Sequence, residues 1–233
     1  FVVKKNKAIV GFNEKKTHFI ADISSCEVLP QLLSDIIPSL QDLITKLSIK
    51  NKIPQIEFAA DQNHLVLVLR ILEKLDANDE SLLNTFSSQY PVQFWTQSKG
   101  LDTVKPLSKK DDVNLSYALK EFGLQFSFMP YDFTQINPFI NQVLVRRAMS
   151  LLRPLRGECI FDFFCGLGNF TLPIATSGAK VTGIEGSLSL LERAKQCRDE
   201  NHLNNFVEYQ CINLFEITKE ALLKLGHADK WLI

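Results

Sequence analysis

Between residues 29 and 47, apolar side chains fall at Leu29, Leu32, Leu33, Ile36, Ile37, Leu40, Leu43, Ile44 and Leu47. This spacing of three to four predicts a helix with one buried face. Pro38 lies inside it and is expected to kink or split it. Ahead of the helix, 1–12 and 17–23 read as short strands around a charged turn, Asn13-Glu14-Lys15-Lys16. Behind it, 53–60 and 64–72 read as strands joined through Asp61-Gln62-Asn63. A short helix over 79–88 follows, with strand candidates at 92–97, 103–107 and 124–128. Helices packed on a mostly antiparallel sheet are the expected result.

The pattern changes after Pro130. Residues 130–138 read as a connector, and 141–152 as a helix ended by Arg153-Pro154. From 158 onward, strands expected at 159–164, 180–185, 207–212 and 230–233 alternate with helices at 170–177, 189–201 and 216–225. Ser189 and Glu192 are spaced as a capping box for the second of these helices. Such alternation implies a doubly wound parallel sheet. The fold class is therefore α/β plus α+β. A mostly antiparallel α+β central domain is expected over 1–125, a connector and helix over 126–157, and the first half of a Rossmann-like domain over 158–233. The boundary between styles lies near 125–140. Both ends read as strands, so a piece of a longer protein is expected, with the fourth strand as an exposed edge.

Composition narrows the function classes. Lysines and arginines number 26 and so do aspartates and glutamates, so a strongly basic nucleic-acid footprint is absent, although local patches remain. No apolar run approaches the roughly 20 residues that span a bilayer, and no signal-peptide layout is present. The five cysteines, Cys26, Cys159, Cys165, Cys197 and Cys211, are scattered and odd in number. Reduced thiols in a cytoplasmic protein explain them better than a disulfide framework.

The chemistry concentrates at 161–171, FDFFCGLGNFT, and at Glu185-Gly186. Gly166 and Gly168 permit backbone angles closed to other residues and leave room for a ligand against the main chain. A three-glycine dinucleotide fingerprint is not completed, because Asn169-Phe170 follows. Glu185 ends the second strand of this half, where a carboxylate accepts from two ribose hydroxyls; Asn213, just past the third, is placed to reach adenine or sugar. All lie at carboxyl ends of strands, where open α/β sheets bind ligands. The set fits S-adenosylmethionine, which has no pyrophosphate, better than a nicotinamide dinucleotide. The domain from 158 is expected to be of the S-adenosylmethionine-dependent methyltransferase type.

Together with 126–142, FSFMPYDFTQINPFINQ, and GIEGS at 183–187, the glycine segment resembles the RNA uracil-5-methyltransferase family, and within it the bacterial enzymes acting on 23S ribosomal RNA. The resemblance covers nearly all of the chain and is weakest from about 45 to 115. It implies cofactor contacts at Gln135, Phe164, Asn169, Glu185 and Asn213, with the connector closing over the cofactor through Gln135. It implies covalent catalysis, in which a cysteine adds to carbon 6 of uracil and a base later takes the carbon 5 proton. In the family both groups lie beyond the fourth strand, so no catalytic residue is expected within this chain. Cys165 is expected to pack rather than react, and Cys159, Cys197 and Cys211 to be buried small hydrophobes.

Cys26, in ADISSCEVLP, resembles the family segment carrying one thiolate of a 4Fe–4S cluster, a group that needs four. The other three would lie ahead of Phe1. A target uridine must leave its stack to be attacked, and Phe133 is the candidate to stack on it; Phe126 and Phe128 read as core. Lys4, Lys5, Lys7, Lys15, Lys16, Arg146 and Arg147 are available for phosphates or simply solvated. The expected partner is 23S ribosomal RNA, acted on by a monomer with no DNA or membrane involved. A transfer-RNA enzyme, or a module that binds RNA without catalysis, stands as the alternative.

Overall fold

The protein is described here by a computed structural model covering residues 2–4, 7–109 and 113–233. Phe1 and Lys5 lie outside the described residues. The chain forms two compact units. The first holds the residues up to Leu115 with Met129–Tyr131, the second Ser116–Phe128 with Asp132–Ile233.

In the first unit, β1 (Val2–Lys4) and β2 (Lys7–Ile9) form an antiparallel hairpin. The strand expected over 17–23 is not formed; a single bridge joins Asn13 to Ile20. Phe12 and Phe19 are 53% and 72% exposed, so this stretch has no sheet face on which to bury alternate side chains. Helix α1 (Gln31–Lys46) runs through Pro38 as one element. Its buried face, Leu33, Ile36, Ile37, Leu40, Leu43 and Ile44, outweighs the one backbone bond that proline removes.

Strands β3 (Gln55–Ala60), β4 (Leu65–Arg70), β5 (Val92–Gln97) and β6 (Lys105–Pro106) lie side by side in that order. The outer pairings are antiparallel, but β4 and β5 run parallel. Helix α2 (Ala77–Gln89) makes that crossover, with the Asp76 carboxylate accepting from the Asp79 N–H. The core draws on both helices: Leu40 and Ile44 of α1 and Leu83 and Phe86 of α2 share it with Leu67, Leu69 and Phe94 of the sheet.

The second unit opens with β7 (Leu115–Leu119), which the sequence pattern did not predict, paired with β8 (Leu124–Phe128). Phe126 and Phe128 are buried as expected. Helix α3 (Pro138–Leu152) starts on Pro138 at its first turn, and Asn137 caps it by accepting from the N–H groups of Phe139 and Ile140.

A parallel sheet follows, ordered β11-β10-β9-β12: β9 (Cys159–Phe163), β10 (Lys180–Glu185), β11 (Val207–Cys211) and β12 (Lys230–Leu232). Helices α4 (Thr171–Ala175), α5 (Leu188–Glu200) and α6 (Lys219–Lys224) connect them. The α5 cap is Ser187, accepting from Leu190 N–H, rather than Ser189. The helix begins earlier than expected because Glu185 already satisfies the N–H groups of Gly186 and Ser187. The chain adds β10 and β11 on one side of β9, then β12 on the other. The reversal opens a crevice at the carboxyl end of β9, where such sheets hold ligands. Among the described residues, no helix is long and apolar enough to cross a membrane.

Candidate cofactor site

The carboxyl end of β9 turns sharply. Phe164 has φ of 59°, and Gly166 and Gly168 have φ of 55° and 90°. A bulky residue at positive φ is strained, and Phe164 is held there half-exposed. The turn is closed by Gly168 N–H donating to Cys165 O at 2.8 Å and by Cys165 N–H donating to Ile184 O at 3.1 Å. A Cβ on Gly168 would stand 2.7 Å from Tyr209 Oη, whereas one on Gly166 would meet nothing within 4 Å. Glycine is required at Gly168 by contact and at both positions by backbone angle.

Glu185 ties the two strand ends together. Its Oε2 accepts from Gly166 N–H at 3.2 Å, and its Oε1 accepts from Gly186 and Ser187 N–H at 2.8 and 3.1 Å. At the end of β11, Asn213 Oδ1 accepts from Phe215 N–H at 3.1 Å and its amide donates to Glu216 at 2.9 Å. That turn sets Phe215, 89% exposed, with its ring centroid 5.5 Å from that of Phe164.

Beneath the turn lies Asp162, 2% exposed, accepting from Thr171 Oγ1 at 2.5 Å. Burial pushes its pKa up to about 7, against the opposing pull of hydrogen bonds from Thr171. Burial also raises the Tyr209 hydroxyl well above its ordinary value. That Oη is buried without a hydrogen-bond partner among the described residues.

Asn169 is engaged by protein. Its amide and that of Asn141 exchange hydrogen bonds of 2.9 and 3.0 Å, and Tyr117 Oη donates to Asn169 Oδ1 at 3.0 Å. The segment carrying Phe133 and Gln135 is anchored at both ends. Asp132 pairs with Arg193, with Nε to Oδ2 at 2.7 Å, and Asn137 caps α3. Phe133 is 81% exposed, and Gln135 is exposed as well.

The predicted Gln135, Phe164, Gly166, Gly168, Asn169, Glu185 and Asn213 all belong to the second unit. Phe164 to Asn169, Glu185 and Asn213 lie at the carboxyl ends of β9, β10 and β11. Asp162, Thr171, Tyr209, Asn141, Tyr117 and Phe215 were missed. The acid in FDFF was the one visible signal, since a carboxyl inside an apolar strand needs a partner.

The cysteines divide differently from expectation. Cys165 and Cys197 are buried, but Cys159 and Cys211 are exposed. Cys159 is the first residue of β9 and Cys211 the last of β11, where the pleat no longer covers them. Burial, with Asp162 and Glu185 nearby, holds the Cys165 thiol far above its ordinary range, and burial pushes Cys197 up to about 11. Cys26 is half-buried, its N–H donating to Ser34 Oγ at 2.9 Å. Among the described residues no group of three or more potential ligands gathers around a metal position. One thiolate does not fit a 4Fe–4S cluster. Of the basic candidates, Arg146 is paired with Glu121 at 2.7 Å, while Lys7, Lys15, Lys16 and Arg147 are exposed.

The sequence profile described as tRNA (Uracil-5-)-methyltransferase matches residues 7–221. Among curated proteins, the chain is 48% identical over 232 residues to the 23S rRNA (uracil(1939)-C(5))-methyltransferase RlmD of Burkholderia pseudomallei, covering 100% of this chain and 50% of that protein. It is equally similar, 48% over 233 residues with the same coverage, to the protein of that name in Cupriavidus pinatubonensis. The chain thus spans about half the length of the curated relatives it matches. Among solved structures, the Pyrococcus abyssi tRNA (uracil-54, C5)-methyltransferase in complex with S-adenosyl-L-homocysteine superposes with a TM-score of 0.66 at 18% identity, over 97% of this chain and 57% of that one. At that identity the likeness establishes the fold alone, a Rossmann-like domain joined to an α+β unit.

Proposed function

The chain belongs to the tRNA (uracil-5-)-methyltransferase family, and on that premise we propose that it serves the methylation of carbon 5 of a uridine in 23S ribosomal RNA, with S-adenosylmethionine as donor. The observation that carries the cofactor is the Glu185 carboxylate, fixed by the N–H groups of Gly166, Gly186 and Ser187 at the mouth of the crevice. A carboxylate so held accepts from a ribose diol. The surrounding residues fit this donor. Gly166 leaves open space where a Cβ would stand, and no lysine or arginine occurs in 164–171 or 185–188 to meet a pyrophosphate. The Glu185 carboxylate at the strand end suits a cationic donor instead.

When bound, S-adenosylmethionine supplies an activated methyl group. Around it, Glu185 holds the ribose, Asn213 reaches the adenine or sugar, Phe164 packs on the purine, and Gln135 closes from the connector. Phe133 is poised to stack on an extruded uracil. No nucleophile is assigned within these residues. Cys165 and Cys197 are buried and stay thiols at neutral pH, and a thiol does not add to uracil. Cys26 is proposed as one thiolate of a 4Fe–4S cluster whose other ligands these residues do not supply. The site of action would be the cytoplasm.

The 48% identity to relatives whose names carry uracil 1939 supports that position as the proposed target. Deleting the gene and digesting the RNA for mass spectrometry tests it. Loss of 5-methyluridine from that position of 23S ribosomal RNA is expected. Loss from transfer RNA instead would move the substrate to the other branch of the family, and no loss from either would overturn the reading. Titration with S-adenosylhomocysteine and with NAD tests the cofactor, and binding of NAD alone would overturn it.

A further inference from the structure

Asn141 sits inside a helix, 4% exposed, where a carboxamide is costly unless its groups are satisfied. It is satisfied by one residue. Its Nδ2 donates to Asn169 Oδ1 at 3.0 Å, and its Oδ1 accepts from Asn169 Nδ2 at 2.9 Å. Each amide needs the donor and the acceptor of the other, so neither a carboxylate nor a hydrocarbon replaces either side without leaving a buried group unpaired.

Tyr117 adds a third bond, its hydroxyl donating to Asn169 Oδ1 at 3.0 Å. The Tyr117 ring is fixed by stacking on Phe126, centroids 4.8 Å apart and planes 3° from parallel. Burial holds its pKa far above the ordinary tyrosine value, so this hydroxyl remains a donor at any physiological pH.

Asn169 directly follows Gly168 of the glycine turn. Asn141 N–H donates to the carbonyl of Asn137 at 2.9 Å, the first bond of α3. Asn137 stands two residues after Gln135. A continuous set of bonded groups thus runs from the connector carrying Phe133 and Gln135, through one helical turn, to the turn that follows β9.

We propose that Asn141 is a positioning residue of the cofactor site, holding the glycine turn through Asn169 and setting the Gln135 segment in register with it. This rests on the reading of the turn as the S-adenosylmethionine site. On that reading, Asn141 touches no ligand. It fixes the distance between the two walls that do, the kind of support that sets binding-site precision.

The test is calorimetric titration of the 233-residue chain with S-adenosylhomocysteine, well below melting, on wild type, Asn141→Ala, Tyr117→Phe, Gln135→Ala and the variant combining Asn141→Ala with Gln135→Ala. Asn141→Ala is expected to weaken binding about tenfold, and Tyr117→Phe about threefold, as lost buried hydrogen bonds do. The discriminating readout is coupling. Gln135→Ala is expected to weaken binding about tenfold in wild type but less than about threefold once Asn141 is gone. If Asn141 only stabilised the fold, melting would fall while affinity and the Gln135 effect stayed unchanged, and that result would overturn the proposal. Should Asn141→Ala fail to fold, Asn141→Ser carries the same comparison, breaking the paired amide bonds with a small uncharged polar side chain. If wild type itself binds no S-adenosylhomocysteine, the cofactor reading falls and this proposal with it; wild-type binding matched by an unaltered Asn141→Ala overturns this proposal alone.

Discussion

The Glu185 carboxylate accepts a hydrogen bond from the Gly166 N–H at 3.2 Å, across the carboxyl ends of two adjacent parallel strands. The acid therefore holds the glycine turn from the end of the neighbouring strand. Glu185→Gln keeps one amide oxygen for the turn but offers a ribose a weaker acceptor. It should weaken S-adenosylhomocysteine binding about tenfold with a small change in melting, since a charged acceptor is roughly twice as strong as a neutral one. Glu185→Ala should lose both functions and lower the melting temperature too. Equal affinity of Gln and wild type in calorimetry would remove the carboxylate from the site.

Gly183 lies mid-strand in β10, where an added Cβ would stand 2.7 Å from two Tyr209 ring carbons and 2.9 Å from Cys165 Sγ. Gly183→Ala should destabilise the second unit by about 1–3 kcal/mol through overpacking. Denaturant unfolding measures it, and Tyr209→Leu in the same chain should restore part of the loss. An additive double variant would mean that the clash is relieved elsewhere.

Asp162 gives a pH dependence of definite sign. Its folded-state pKa, about 7, lies above the ordinary aspartate value. The folded state therefore binds more protons between about pH 4 and 7, and stability falls across that window as pH rises. Asp162→Asn keeps an acceptor for Thr171 and has no proton to lose. Its melting temperature should gain on that of wild type as pH goes from about 5 to about 8, measured without ligand. A constant difference between the two would show that Asp162 titrates normally.

Phe215 is 89% exposed and, among the described residues, its one aromatic ring contact is with Phe164. Phe215→Ala should leave melting unchanged, because little area is lost to water. If the ring pair flanks the purine, affinity for S-adenosylhomocysteine should drop several-fold. Unchanged affinity would leave Phe215 outside the site.

Thiol labelling separates the cysteines. Iodoacetamide on the native chain should modify Cys159 and Cys211 first and leave Cys165 and Cys197 until unfolding, as peptide mass mapping reads directly. Early labelling of Cys165 would mean that the glycine turn opens.

The sequence pattern was sufficient where one periodicity ruled a long stretch. The apolar spacing of α1 and the alternation from β9 to β12 were legible for that reason. The strand end at Glu185 and the turn at Gly166 and Gly168 were legible too as local structure, because strand ends and glycine turns leave local marks. The failures share a cause in long-range structure. Residues 17–23 alternate like a strand but find no partner sheet. The parallel pairing of β4 with β5 depends on α2 crossing between them. Asn141 and Tyr117 carry no local mark, because their importance lies in a partner 28 and 52 positions away in the chain. Tyr209 is likewise defined by distant Gly168 and Gly183. Cys159 and Cys211 misled because thiols are usually buried, whereas a strand terminus exposes what its middle would hide.

The double anchoring of the Phe133–Ile136 stretch, by the Asp132–Arg193 pair and the Asn137 cap, has a kinetic consequence. A free loop must be ordered each time a ligand arrives, which slows capture and weakens it. Here the main-chain path is already set, and only the side chains of Phe133 and Gln135 need change rotamer, on a timescale of picoseconds to nanoseconds for exposed groups. If this stretch lines the proposed cofactor site, encounter rather than ordering of the main chain is expected to limit how fast it engages a ligand.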